Sequence, residues 1–265
     1  MTALSNKAFV AVTKLFEGVS GIRLGENKHA LVAGRLQKLA QEAGEANVDA
    51  YVDRLVAGHA PAAEMTRVID RLTTNETYFF REPQHFNDLG DRLRADPQRE
   101  WKVWSAASSS GEEAYSTAML MADVLGQRPW QVIGTDLSTS VVASAQRALY
   151  PLERARMVPP EYLKRYCLKG QGEHEGQLLI AKSLRDRVRF VQANLMQELP
   201  KLPPFDVIFL RNVLIYFDNE AKGQIVRRVL TQLKPDGVLY TGHAESLSSL
   251  GLPLKVVATA VHVHA

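Results

Sequence analysis

Residues 101–115 read WKVWSAASSSGEEAY. An apolar strand-like run gives way to Ala106, Ala107, Ser108, Ser109 and Ser110, then Gly111, and a helical stretch follows from Glu112 to Leu125. Small side chains at such a turn let backbone approach a ligand closely, as glycines do in dinucleotide folds. Downstream, QVIGTD (131–136) reads as a second buried strand, followed by the helix STSVVASAQRAL. RVRFVQAN (187–194) and FDVIFLRN (205–212) read as a third and a fourth. A helix around Ala221 to Leu233 leads through KPDG into GVLYTGHAE, a fifth strand, and the run Leu254 to His264 reads as one more edge strand. Strands alternating with helices predict an α/β fold with a doubly wound, mostly parallel sheet.

Upstream, residues 1 to 72 read as all helix. Leu31, Val32, Leu36 and Leu39 follow helical spacing, and Gly44 is a natural stop. Val48 to Val56 and Ala62 to Leu72 give two shorter amphipathic segments, separated by Gly58 and Pro61. The expected division is therefore a helical domain over 1–72 and a sheet domain over 73–265. The interval from Tyr150 to Arg187 is too long for a crossover helix alone. It reads as a short helix, Pro160 to Tyr166, then RYCLK, the turn GQGEHEG and QLLIAK, which form a hairpin. This predicts a small β subdomain inserted at about 160–188.

Hydrophobic residues make up 46% and charged residues 23% of the 265, the balance of a soluble globular protein. The net charge is +3, with no concentrated basic run of the kind nucleic-acid binders carry. Cys167 is the single cysteine, so neither a disulfide framework nor a cysteine-rich zinc site can form within the chain, and a reduced, cytoplasmic setting is expected. No apolar run approaches the ~20 residues that span a bilayer, so no membrane insertion is expected.

Ligands of open α/β sheets sit beyond the carboxyl ends of the strands, and polar residues gather there. Glu112 and Glu113 follow the first strand, Asp136 ends the second, Asn194 the third, and Arg211-Asn212 the fourth. No G-x-G-x-x-G or G-x-x-x-x-G-K-[ST] is present. The two glutamates would repel phosphate but tolerate a ligand bearing an ammonium and a sulfonium. Asp136 can accept hydrogen bonds from ribose hydroxyls, or it can cap the helix that follows, a task Ser138 could also perform. Four polar strand ends around one sheet suit an adenosine-type pocket.

LTTNETYFFREPQHF (72–86), VWSAASSSGEEAYS, GTDLS, FVQANL, FDVIFLRNVLIYFD and LKPDG with GHAESL resemble, in order and spacing, the blocks of the CheR family of chemotaxis receptor methyltransferases. The N-terminal GIRL stretch is similar too, so the resemblance covers nearly the whole chain. It implies a class I methyltransferase sheet with a helical N-terminal domain and an inserted β subdomain. The activity implied is methyl transfer from S-adenosylmethionine, leaving S-adenosylhomocysteine, to glutamate side chains of chemoreceptor cytoplasmic helices. Family cofactor contacts fall on Asn75, Thr77, Arg81, Glu113, Asp136, Asn194, Leu195, Arg211 and Asn212. Arg81 and Tyr216 are the positions that the family places nearest the transferring methyl. Some members dock a C-terminal receptor peptide on the β subdomain, and the GQGEHEG hairpin is compatible with that. A monomer without nucleic-acid or metal partners is expected.

Lys28, Arg35 and Lys38, at i, i+7 and i+10, fall on one helix face, which spacing alone reads as solvated surface; the resemblance implies that this face docks acidic receptor helices. Tyr78, Phe79 and Phe80 read as core. His243 and Glu245 do not have metal-motif spacing and read as a structural loop, His262 and His264 are too sparse for a metal, and Cys167 reads as an inert thiol. Two other readings of the same sheet are a nucleic-acid methyltransferase and a non-catalytic cofactor-binding adaptor. Pro203-Pro204-Phe205 is similar to an N-P-P-Y motif but precedes the fourth strand, where base chemistry would need it to follow. Arg81 and Tyr216 are both present, which favours catalysis over an adaptor.

Overall fold

The computed structural model of the protein describes residues 4–265. The chain forms two compact units. The first runs to Thr74 and includes Tyr216–Lys222; the second comprises Asn75–Ile215 and Gly223–Ala265.

The helical unit contains α1 (Asn6–Ser20), α2 (His29–Glu42), α3 (Val48–Val56) and α4 (Ala62–Leu72). Ser5 caps α1 by accepting the Ala8 amide, and Asn47 caps α3 by accepting the Ala50 amide, each satisfying an orphan donor of a first turn. Apolar side chains at helical spacing, among them Val12, Phe16, Val32, Leu36, Tyr51, Leu55, Val68 and Leu72, close one core. Arg54 fastens α3 to Glu64 of α4 through two hydrogen bonds, 2.6 and 3.0 Å, and to Glu45.

The sheet unit opens with α5 (Pro83–Ala95), followed by β1 (Trp101–Ala106), α6 (Glu112–Leu125), β2 (Trp130–Asp136), α7 (Thr139–Arg147) and β3 (Leu149–Pro151). Next come α8 (Pro160–Tyr166), β4 (Cys167–Lys169), β5 (Gln177–Ile180), α9 (Lys182–Arg185), β6 (Val188–Gln192) and β7 (Phe205–Leu210). The chain finishes with α10 (Asn219–Leu230), whose first turn groups with the helical unit, then β8 (Leu233–Thr241), β9 (Leu254–Ala258) and β10 (Val261–His264). The seven-stranded sheet has the order β6-β2-β1-β7-β8-β10-β9. Pairings from β6 through β8 are parallel, and β10 is antiparallel to both of its neighbours. Chain order reverses between β1 and β7, the switch point at which a doubly wound sheet opens its ligand crevice. Every residue of β7 is buried, as befits a strand covered on both faces.

Two features depart from the sequence expectation. The run Leu254 to His264 is a hairpin of two strands, with β10 inside the sheet and β9 at its edge. The small antiparallel sheet, β3-β5-β4, begins at Leu149 and has a third strand beside the expected hairpin. Phe79 and Phe80 lie in the core of the sheet unit, whereas Tyr78 is exposed.

Candidate active site

The parallel strands β1, β2, β6, β7 and β8 release their chains at one edge of the sheet, which brings their terminal loops together. Across this edge runs the segment Asn75–Glu82. It is fixed by Ser109 Oγ donating to the Asn75 carbonyl (3.0 Å), by Ser116 Oγ accepting the Phe80 amide (2.9 Å), and by Arg211 donating to the Arg81 carbonyl. Among non-glycine residues with positive φ, Phe80, Glu82, Ala107, Ser109 and Asn212 all belong to this edge. Left-handed backbone at non-glycine residues costs free energy and persists where surrounding contacts over-determine it. Here those contacts hold the site's polar side chains.

Arg211, at the end of β7, is the hub. Its side chain is 1% exposed and reaches Glu113 (3.1 Å) and Glu82 (3.2 Å) while lying over the Phe86 and Phe209 rings. One guanidinium is thus shared by two carboxylates. Burial pushes the Glu113 carboxyl above its usual range, against the pull of Arg211 and the Ser105 hydroxyl, which donates to it at 2.7 Å. Burial also acts to raise Glu82, but Arg211, Asn212 and His243 together hold it below its ordinary value. Arg81 is half-buried, donates to the Glu76 carbonyl (3.2 Å), lies 5.7 Å from the Tyr78 ring centroid, and its charge also acts on Glu113.

The two glutamates after β1 do not act together, contrary to the sequence reading. Glu112 is fully buried and paired with Arg154 (2.5 Å), whereas Glu113 is bound by Ser105 and Arg211. Asp136 does not cap α7: Ser138 does, accepting the Val141 amide. The Asp136 carboxylate instead accepts the Ser109 amide (2.8 Å) and the Ser138 amide (3.0 Å), joining the loops after β1 and β2. Asn194 turns the chain after β6 by accepting the Met196 amide (2.9 Å), and Leu195 beside it is buried. Asn212 donates to Glu82 (3.1 Å), and Thr77 is half-buried on the crossing segment.

Tyr216 follows this edge in the chain but groups with the helical unit, where its carbonyl accepts the Arg23 amide (3.1 Å). Of the three expected docking cations, Arg35 is committed to backbone: it donates to the Leu72 (2.8 Å) and Thr73 (3.1 Å) carbonyls at the end of α4. Lys28 precedes α2 in a short 3-10 turn rather than lying on its face, and both Lys28 and Lys38 are exposed.

Sequence reasoning missed Glu82, Ser105, His85 and the part played by Glu245. Glu82 and His85 sit inside the 72–86 block, where the basic and amide residues drew attention. Glu82, His85 and His243 offer one ligand atom each within 4.8 Å. Arg211, 3.2 Å from the same Glu82 oxygen, already supplies the cation that this carboxylate attracts, so the cluster reads as a polar network. Ser108 Oγ and Arg211 Nε are buried without a hydrogen-bond partner, so the edge does not satisfy itself internally.

Residues 75–263 match the family described as CheR methyltransferase, SAM binding domain, and residues 7–73 match its all-alpha domain. The chain is 39% identical over 251 residues to the chemotaxis protein methyltransferase of Salmonella typhimurium, covering 94% of this chain and 86% of that protein. It is 39% identical to the Escherichia coli chemotaxis protein methyltransferase (94% and 87%), and 35% identical to chemotaxis protein methyltransferase 2 of Pseudomonas aeruginosa (90% and 86%).

Proposed function

The chain belongs to the CheR family and is an S-adenosylmethionine-dependent methyltransferase of chemotaxis, and we propose that it esterifies glutamate side chains on the cytoplasmic helices of chemoreceptors. The observation that carries the reading is Glu113. It is a carboxylate driven up by burial, set behind a loop of small residues, and given only a share of Arg211. Such a group favours a cationic ligand, and the unpartnered Ser108 hydroxyl and Arg211 Nε lie in the same set of residues.

When bound, S-adenosylmethionine supplies a methyl group on a positively charged sulfur. Glu113 is proposed to take its ammonium and Arg81 its carboxylate, an opposite pair that suits an amino-acid end. Asp136 is proposed to accept from the ribose, with Asn75, Thr77, Asn194, Leu195, Arg211 and Asn212 completing the enclosure. No general base is required of the chain, since an acceptor glutamate with an unperturbed pKa near 4.3 is ionised at neutral pH. The residues instead act by alignment and by excluding water from a hydrated carboxylate. Arg81 is the proposed orienter, with the Tyr216 hydroxyl as a second donor.

The helical domain, 1–72, is proposed to dock receptor helices through Lys28 and Lys38. The small β sheet, whose edge strand β4 exposes Leu168, is proposed to take a receptor peptide by strand addition. Among the described residues no helix is long and apolar enough to cross a membrane, and the proposed setting is the cytoplasm, with the enzyme acting as a monomer. The test is incubation with radiolabelled S-adenosylmethionine and receptor cytoplasmic domains. Base-labile label on receptor glutamates is expected; label on nucleic acid, or on no protein, would overturn the reading.

A further inference from the structure

We propose that Glu245, in the turn after β8, is a positioning residue for methyl transfer: its carboxylate fixes the backbone that carries Arg211 and Asn212 and leads into Tyr216. The proposal rests on the assignment of this sheet edge as the methyl-transfer site. Glu245 Oε2 accepts the amides of Asn212 and Gly242, both at 2.7 Å, and Oε1 accepts the Ile215 amide at 3.2 Å. One carboxylate therefore binds three amides from two loops, and charge-assisted bonds of this type are stronger than neutral ones.

Three observations separate this arrangement from ordinary loop packing. Glu245 is 7% exposed and, among the described residues, forms no ion pair, so its charge is held by amides alone. Keeping an unpaired charge out of water is costly unless its hydrogen bonds are complete. Asn212 is held at φ 57, a conformation its neighbours must enforce; Glu245 holds its amide and Glu82 holds its side chain. Gly242 leaves no slack, because a Cβ there would stand 2.6 Å from Asn212 Nδ2 and 2.7 Å from Glu245 Oε2. Glu245 touches no reacting atom by this account. It acts through the residues after β7, where a displacement of about 1 Å is enough to cost roughly 100-fold in rate.

The test compares wild type with Glu245→Gln and Gly242→Ala. A carboxamide keeps one acceptor oxygen, which best serves the two amides on the Oε2 side, and turns an NH2 toward the Ile215 N–H. Cofactor affinity is then expected to change less than about 3-fold, while kcat for receptor methylation falls at least about 10-fold. Turnover is expressed per S-adenosylhomocysteine-binding site, counted by calorimetry, so that loss of folded protein cancels. Gly242→Ala presses on the same carboxylate and on Asn212 itself, and is expected to lower turnover per site by at least about 10-fold while also weakening S-adenosylhomocysteine binding. If Glu245→Gln yields no binding sites, Gly242→Ala decides by the same ratio. Turnover per site within about 2-fold of wild type in the variants would overturn the role of Glu245. Failure of wild type to methylate any receptor would instead overturn the underlying assignment.

Discussion

His85 shows how the site's electrostatics reach a residue that no ligand need touch. Its ring is 1% exposed and packs 5.1 Å from the Tyr240 ring. Burial, and then the nearby Arg211 charge, push the imidazole down from 6.5 to about 4. Between those values the unfolded chain binds the proton and the folded one does not. The stabilisation from this residue is therefore complete above about 6.5 and is lost as pH falls toward 4. Its size is on the order of 3 kcal/mol. Glu113 works in the opposite direction: with its folded carboxyl raised, stability is lost as pH climbs from the ordinary carboxylate value up to the raised one, and no more is lost above it. The clean quantity is thus wild type minus variant. His85→Phe, which keeps a ring against Tyr240, is expected to lose less stability than wild type between pH 7.5 and 4.5 in urea unfolding. Parallel losses in the two proteins would show that His85 does not titrate as argued.

At the level of elements, the loop joining β1 to α6 is set by two kinds of glycine requirement acting together. Gly111 has φ +95, and a Cβ there would meet Ala145 Cβ and Phe190 Cζ at 2.9 Å. Gly44, with φ +74, has nothing within 4 Å. Gly44→Ala is expected to cost about 1 kcal/mol of left-handed strain, whereas Gly111→Ala adds overpacking and is expected to cost about 2–4 kcal/mol. It should also weaken S-adenosylhomocysteine binding, because the strained loop carries Ser109 and leads into Glu113. Urea midpoints and calorimetry check both, and equal costs at the two glycines would refute the packing argument. The same chemistry explains what the sequence concealed. The strands β1, β2, β6 and β7 announced themselves as short apolar runs ending in polar residues, and their loops carried most of the site. The start of β3 and the turn between β9 and β10 did not, because Ala148 (φ 55) and Ala260 (φ 58) occupy the left-handed positions where glycine or asparagine would signal a break. Glu245 and Glu82 were invisible as site residues for a different reason: they bind backbone amides and a buried guanidinium, and spacing along a chain does not record such partners.

Across the whole molecule, chain order and spatial grouping part company at Tyr216–Lys222. This segment lies within the stretch that matches the catalytic family domain, yet it groups with the helical unit, where Asp218 stands 3.6 Å from Arg23. A linear reading at residue 72 or 73 cannot see this, since it depends on contacts more than 140 residues apart in the chain. Electrostatics also belong to this scale. The protein carries a net +3 charge, and among the described residues exposed cations such as Lys28 and Lys38 have no short ion pair; Lys38 stands 3.8 Å from Glu42. Exposed charges of this sort contribute to encounter and orientation more than to stability, and salt screens them over about 10 Å at 0.1 M. Reversing both lysines to glutamate is therefore expected to raise the KM for an acidic receptor domain about 3- to 10-fold at low salt, with the effect shrinking as salt increases. S-adenosylhomocysteine affinity and kcat are expected to hold, because neither lysine belongs to the sheet unit. Steady-state methylation at two ionic strengths makes the measurement. A salt-independent change, or one that appears in kcat, would move receptor docking away from this face of the helical unit.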